Sequence, residues 1–125
     1  MPNDFTAVFA TLKSLLARHA RDLAVKTDTS AEYSLDTKSP SPFPQHKGHP
    51  LQFGSVRVGR NYVSYHLMPI YMSGTLMKLI TPALKKHMQG KSCFNFKTNP
   101  DAALLSDLRT LTDSALRDWK EKNWL

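Results

Sequence analysis

The stretch "QFGSVRVGRNYVSYHLMP", Gln52 to Pro69, decides the class of fold. Val56 and Val58 before the central glycine, and Val63, Tyr65 and Leu67 after it, recur at every second position, the repeat of a strand with one buried face. Gly59-Arg60 between the two runs reads as a two-residue turn, because glycine adopts the positive φ that tight hairpins require. That turn pairs Val56 with Val63 and Val58 with Asn61. Val56, Val58, Val63, Tyr65 and Leu67 then share a core face, while Phe53, Ser55, Arg57, Tyr62, Ser64 and His66 share a mixed one. A hairpin at the centre of the chain means an antiparallel sheet.

Upstream, Phe5, Val8, Phe9, Leu12, Leu15, Leu16, His19 and Leu23 fall at helical spacing, and Asn3 or Asp4 can cap the start. "AVK" and "AEYSLDTK" follow as strands around the turn "TDTS", with Tyr33 and Leu35 alternating against Glu32, Ser34 and Asp36. Residues 38–50, "KSPSPFPQHKGHP", hold four of the eight prolines and read as a long exposed loop, since proline fixes φ and lacks an amide donor.

Downstream, Leu76, Met77, Leu79 and Ile80 form a short apolar helix that Thr81-Pro82 interrupts and restarts as "PALKKHMQ", closed by Gly90. "KSCFNFK" is a strand whose Phe94 and Phe96 take the core side. Asn99-Pro100 opens the last helix, with Leu104, Leu105, Leu108, Leu111, Ala115 and Trp119 as its buried stripe. Two amphipathic terminal helices need a common surface to cover. The expectation is an α+β fold: a two-layer α/β sandwich in one domain, residues 1–125, with a mostly antiparallel sheet of about five strands packed by the N- and C-terminal helices.

Composition narrows the setting. One cysteine cannot form an internal disulfide, and the start "MPNDFTAVF" lacks the basic and apolar regions of a secretion signal, so a reducing cytoplasm is expected. The longest apolar run, "YVSYHLMPIYMSGTLM", is broken by His66, Pro69, Ser73 and Gly74, which argues against a membrane span. Seventeen Lys and Arg against ten Asp and Glu give a net charge of +7. The basic residues are dispersed, with Lys85-Lys86 as the one adjacent pair, so a solvated basic surface is expected and nucleic-acid binding is the lesser alternative.

"FGSVRVGRNYVSYHLMPIY", followed by "TPALKKHMQGKSCFNFK" and an amphipathic C-terminal helix, resembles the YdhG-like family of small bacterial domains of unknown function. The resemblance implies a compact α+β domain similar in shape to frataxin, and it brings a frataxin-like iron chaperone into view as an alternative function. Iron binding of that type relies on clustered carboxylates. The first helix here offers only Asp4 and Asp22 at its ends, and Asp28, Glu32 and Asp36 are the nearest substitute patch.

Candidate chemistry is sparse. In "KSCFNFK" alternation places Lys91, Cys93, Asn95 and Lys97 on the face opposite the phenylalanines, where the lysines would favour thiolate. Nucleophilic catalysis also needs a base in reach, and the sequence fixes neither His66 nor His87 near Cys93, so an ordinary strand cysteine is expected. Arg57, stacking on Tyr62 across the hairpin, would make with His66 a site for an anion or planar ring. His46 and His49 have a chelating spacing, but the proline-rich loop supplies no further ligand. Trp124 is out of phase with Trp119 and is either a tether for the tail or part of a homodimer patch. The reading is a non-enzymatic domain with no catalytic constellation and no cofactor, binding a small molecule or protein partner on the mixed face bordered by the proline-rich loop. Its candidate residues are Arg57, Tyr62, His66, Lys91, Cys93 and Lys97.

Overall fold

The computed structural model describes residues 5–90 and 92–125. Across the central hairpin, β3 (Pro50–Val58) meets β4 (Val63–Leu67) with Val58 opposite Val63, Val56 opposite Tyr65 and Gly54 opposite Leu67. The register is therefore two residues away from the one expected. Gly59 to Tyr62 form a four-residue turn, closed by the Gly59 N–H donating to the Tyr62 carbonyl at 2.8 Å. Positive φ among the described glycines belongs to Gly48 and Gly90, not to Gly59, so the condition for the tighter turn is not met. A shift of two preserves every facing, and Val56, Val63, Tyr65 and Leu67 are all buried as expected.

Phe53 is different. Leu35 pairs with Gly54 and Asp36 with Gln52, so Phe53 is the extra residue of a bulge on β3. The bulge reverses its facing, and Phe53 is fully buried with its ring 5.7 Å from that of Trp119, not on the mixed face.

Among the described residues the sheet is antiparallel throughout and has six strands, ordered β1-β2-β3-β4-β6-β5. β1 (Ala24–Asp28) and β2 (Glu32–Pro40) form the first hairpin. β2 runs on into the proline-rich segment and pairs Pro40 with Pro50, so the loop is confined to residues 41–49. Prolines are tolerated there because they fall where the strand pair ends. The unexpected strand is β5 (Met88–Gln89), which pairs with β6 (Cys93–Phe96). It occupies positions read as helix. The Asn95 N–H donates to the His87 carbonyl at 2.8 Å, so sheet pairing captures the backbone just after the helix ends. Gly90, at φ 73°, serves the turn between β5 and β6 and caps no helix.

Three single-turn helices link β4 to β5: α2 (Met68–Met72), α3 (Gly74–Met77) and α4 (Pro82–Lys85). Leu76 and Ile80 are buried, whereas Met77 and Leu79 are exposed, so the four do not form one apolar face. Thr81 caps α4 as expected, its hydroxyl accepting from the Leu84 N–H at 3.2 Å. The long C-terminal helix α5 (Ala102–Glu121) is capped by Asp101, whose carboxylate accepts from the Leu104 N–H at 2.8 Å. This carboxylate complements the helix dipole, a role that Asn99 was expected to fill.

α1 (Phe5–Ala17) lies across β3 and β4 and touches α5. At Gly54 an added Cβ would sit 2.9 Å from the His66 carbonyl oxygen and 3.1 Å from Leu16 Cδ2 of α1. Just beyond α1, His19 Nε2 lies 2.8 Å from Asp113 Oδ1, with Arg18 at 3.2 Å from the same oxygen, tying the two terminal helices together. The expected caps Asn3 and Asp4 lie outside the described residues. No helix among the described residues is long and apolar enough to cross a membrane.

Candidate functional site

The mixed face was the expected site, and several of its polar side chains are occupied with one another. Ser64 Oγ donates to Asn95 Oδ1 at 2.8 Å, Asn95 Nδ2 donates to Gln89 Oε1 at 2.6 Å, and the Tyr62 hydroxyl donates to the same Gln89 oxygen at 3.4 Å. Because the turn has four residues, Arg57 stands opposite Ser64 and Tyr62 reaches towards β5, so the expected Arg57–Tyr62 stack is not formed. Arg57 and Lys97 are exposed, and Lys91 lies outside the described residues.

The pairing of β4 with β6 does bring two predicted residues together. His66 stands opposite Cys93, with Nδ1 3.3 Å from Sγ and 3.1 Å from Ser92 Oγ. Burial pushes the Cys93 thiol above its ordinary value, with the Ser92 hydrogen bond opposing it; of the two lysines expected to favour thiolate, Lys97 is exposed and Lys91 lies outside the described residues. Burial also lowers the His66 pKa, against a smaller contribution from a backbone hydrogen bond at Ser92. Both shifts favour the uncharged partner, so the resting pair is thiol and imidazole, not the thiolate–imidazolium pair of an activated nucleophile.

The substitute iron patch is dispersed. Asp28 is bound by Lys13 at 2.9 Å, and burial raises the Asp36 pKa despite Lys26 at 4.0 Å. Among the described residues no three His, Cys, Asp or Glu side chains are grouped to hold a metal ion.

A better-formed cavity lies beside residues 41–49, at the edge of the sheet. There β3 is unpaired on its β4 side before Gly54, because β4 turns into α2, and a groove of about 560 Å³ opens between the loop and that helix. It is lined by Phe43, Leu51, Gln52, Met68, Tyr71 and Met72, with His46, Lys47 and His49 along the loop. The volume falls within the range of small-molecule sites.

The loop side of the groove is well braced. A single 3₁₀ turn over Pro44–His46 ends in Lys47 at φ 52° and Gly48 at φ 83°, and the His49 N–H donates to the His46 carbonyl at 3.0 Å. His46 Nδ1 lies 2.6 Å from Ser41 Oγ. Phe43 packs edge-on to Trp124 at 5.4 Å, and Trp124 packs on Trp119 at 5.8 Å, so the tail carries the support through to the core. Ser39 Oγ also donates to the Leu125 carbonyl. Trp124 is thus a tether, and the loop it holds is not a free one.

Charge distribution was the signal that sequence reading missed. No Asp or Glu occurs between Asp36 and Asp101, whereas nine of the seventeen Lys and Arg residues do. Among the described residues, the lining of the groove comes wholly from this carboxylate-free span. Comparison of the chain with protein-family models, curated proteins and solved structures gives no match.

Proposed function

We propose that the chain is a non-enzymatic binding domain whose site is the groove between residues 41–49 and α2, not the mixed sheet face. The observation that carries this reading is the groove itself: a cavity of about 560 Å³ with apolar walls and a few polar groups along one side. On the mixed face Ser64, Asn95 and Gln89 already satisfy one another. Its one reactive pair, His66 and Cys93, rests in uncharged form. A single cysteine suits a reducing cytoplasm, and the likeness to YdhG-like domains fits a small binding module.

Fragment screening by amide chemical shifts tests the assignment. Bound fragments should perturb residues 43–52 and 68–72 together. Perturbations concentrated on Ser64, His66 and Asn95 would return the site to the sheet face and overturn the proposal.

A further inference from the structure

We propose that the groove selects an amphipathic monoanion, an aliphatic or aromatic body bearing one carboxylate; this inference rests on the groove being the binding site. The walls and the loop side make different demands. Met68 and Met72 are unbranched and adaptable, and with Phe43 and Leu51 they suit an apolar body. The loop side carries His46, Lys47 and His49 within four residues, each able to donate a hydrogen bond to an anion.

No group in the lining compensates that side. Among the described residues, none of the ion pairs involves Lys47, His46 or His49, and the lining contains no carboxylate. The nearest acidic residues in sequence are Asp36 and Asp101; Asp36 stands opposite Gln52 in the sheet, and its carboxylate lies 4.0 Å from Lys26. A ligand carboxylate would supply the missing partner, through charge-assisted hydrogen bonds stronger than neutral ones.

The apolar walls also choose between kinds of anion. A nucleic-acid strand engages a series of spaced cations along its backbone. This groove offers three donors on one short loop beside apolar walls, a pattern suited to a single head group and a tail.

Titration with octanoate, 1-octanol and octylammonium, followed by amide shifts and calorimetry, tests the assignment. Octanoate should bind at least about tenfold more tightly than octanol, with octylammonium weakest. Lys47→Met should bring octanoate down to the octanol level, and His49→Gln should do so in part. Equal binding of all three compounds within the groove would overturn the choice of a carboxylate while leaving the groove as a binding site. Octanoate binding with no shifts at residues 43–52 and 68–72 would overturn both readings. Binding to anionic phosphatidylglycerol vesicles without binding of octanoate would replace the proposal with a membrane surface.

Discussion

His66 and Cys93 face each other across β4 and β6, 3.3 Å apart from Nδ1 to Sγ, and burial acts on the two in opposite senses. The thiol is held up and the imidazole down, so each group is driven towards its neutral form. Alkylation of Cys93 by iodoacetamide at pH 7 should therefore be slower than for an unfolded control peptide. Its rate should rise only at pH values above the ordinary thiol range. A reaction faster than the control would mean an activated thiol and remove the neutral-pair assignment.

The same pair sets a pH dependence of stability. His66 has a folded pKa below its unfolded value of about 6.5, so the unfolded chain takes up the proton first as pH falls. Its contribution is complete above that value and is lost as pH drops through the folded pKa. For Cys93 the folded pKa is raised, so stability falls as pH climbs past the unfolded thiol pKa of about 8.5. Urea midpoints for His66→Gln should decline less between pH 7 and pH 5 than those of the parent. Parallel declines in the two proteins would count against this role.

Tyr65 and Thr112 form a buried hydrogen bond of 2.7 Å between β4 and α5. The one Thr112 proton is already donated to the Leu108 carbonyl at 2.8 Å, so Tyr65 is the donor. Removing the acceptor strands a buried hydroxyl, whereas removing the donor does not. Thr112→Val should cost about 2 kcal/mol and Tyr65→Phe about 1 kcal/mol. The double variant should be no less stable than Thr112→Val alone, as read from denaturant unfolding.

Gly54 has no room for a side chain, since the atom nearest an added Cβ is the His66 carbonyl oxygen, part of the backbone. Gly54→Ala should destabilise by about 2 to 3 kcal/mol through overpacking. Alanine at Gly74, where nothing lies within 4 Å of the added carbon, serves as the contrast. A smaller loss at Gly54 than at Gly74 would show that α1 does not press on the sheet there.

Trp124 joins Phe43 of the loop to Trp119 of the core. Trp124→Ala should cost about 2 kcal/mol, less than the loss of a fully buried tryptophan. Amide hydrogen exchange should accelerate at residues 41–49, and affinity for groove ligands should fall. Unchanged exchange in the loop would show that the 3₁₀ turn stands without the tail.

The architecture was legible in the chain because helical and alternating repeats are local. The stripe from Val8 to Leu16, the inward Phe94 and Phe96, and the row from Leu108 to Trp119 are each buried as their spacing implies. An even shift leaves alternation unchanged, so the sequence pattern assigned the hairpin's facing while leaving its register open. The bulge at Phe53 breaks the alternation with one residue, and no neighbour in sequence announces it. Short range also explains the misplaced helix end, since β5 exists through its pairing with β6.

The candidate sites divide along the same line. Sequence placed His66 and Cys93 on like faces, but their contact depends on β4 lying beside β6, twenty-seven positions apart in the chain. It identified the proline-rich stretch, yet the groove arises only when that segment, braced by Trp124, is set against Met68, Tyr71 and Met72 of α2. Residue spacing by itself determined which surfaces must be buried, because burial follows from local periodicity. Tertiary structure alone decided which polar groups meet and where a cavity opens, because those contacts join segments whose separation along the chain carries no period.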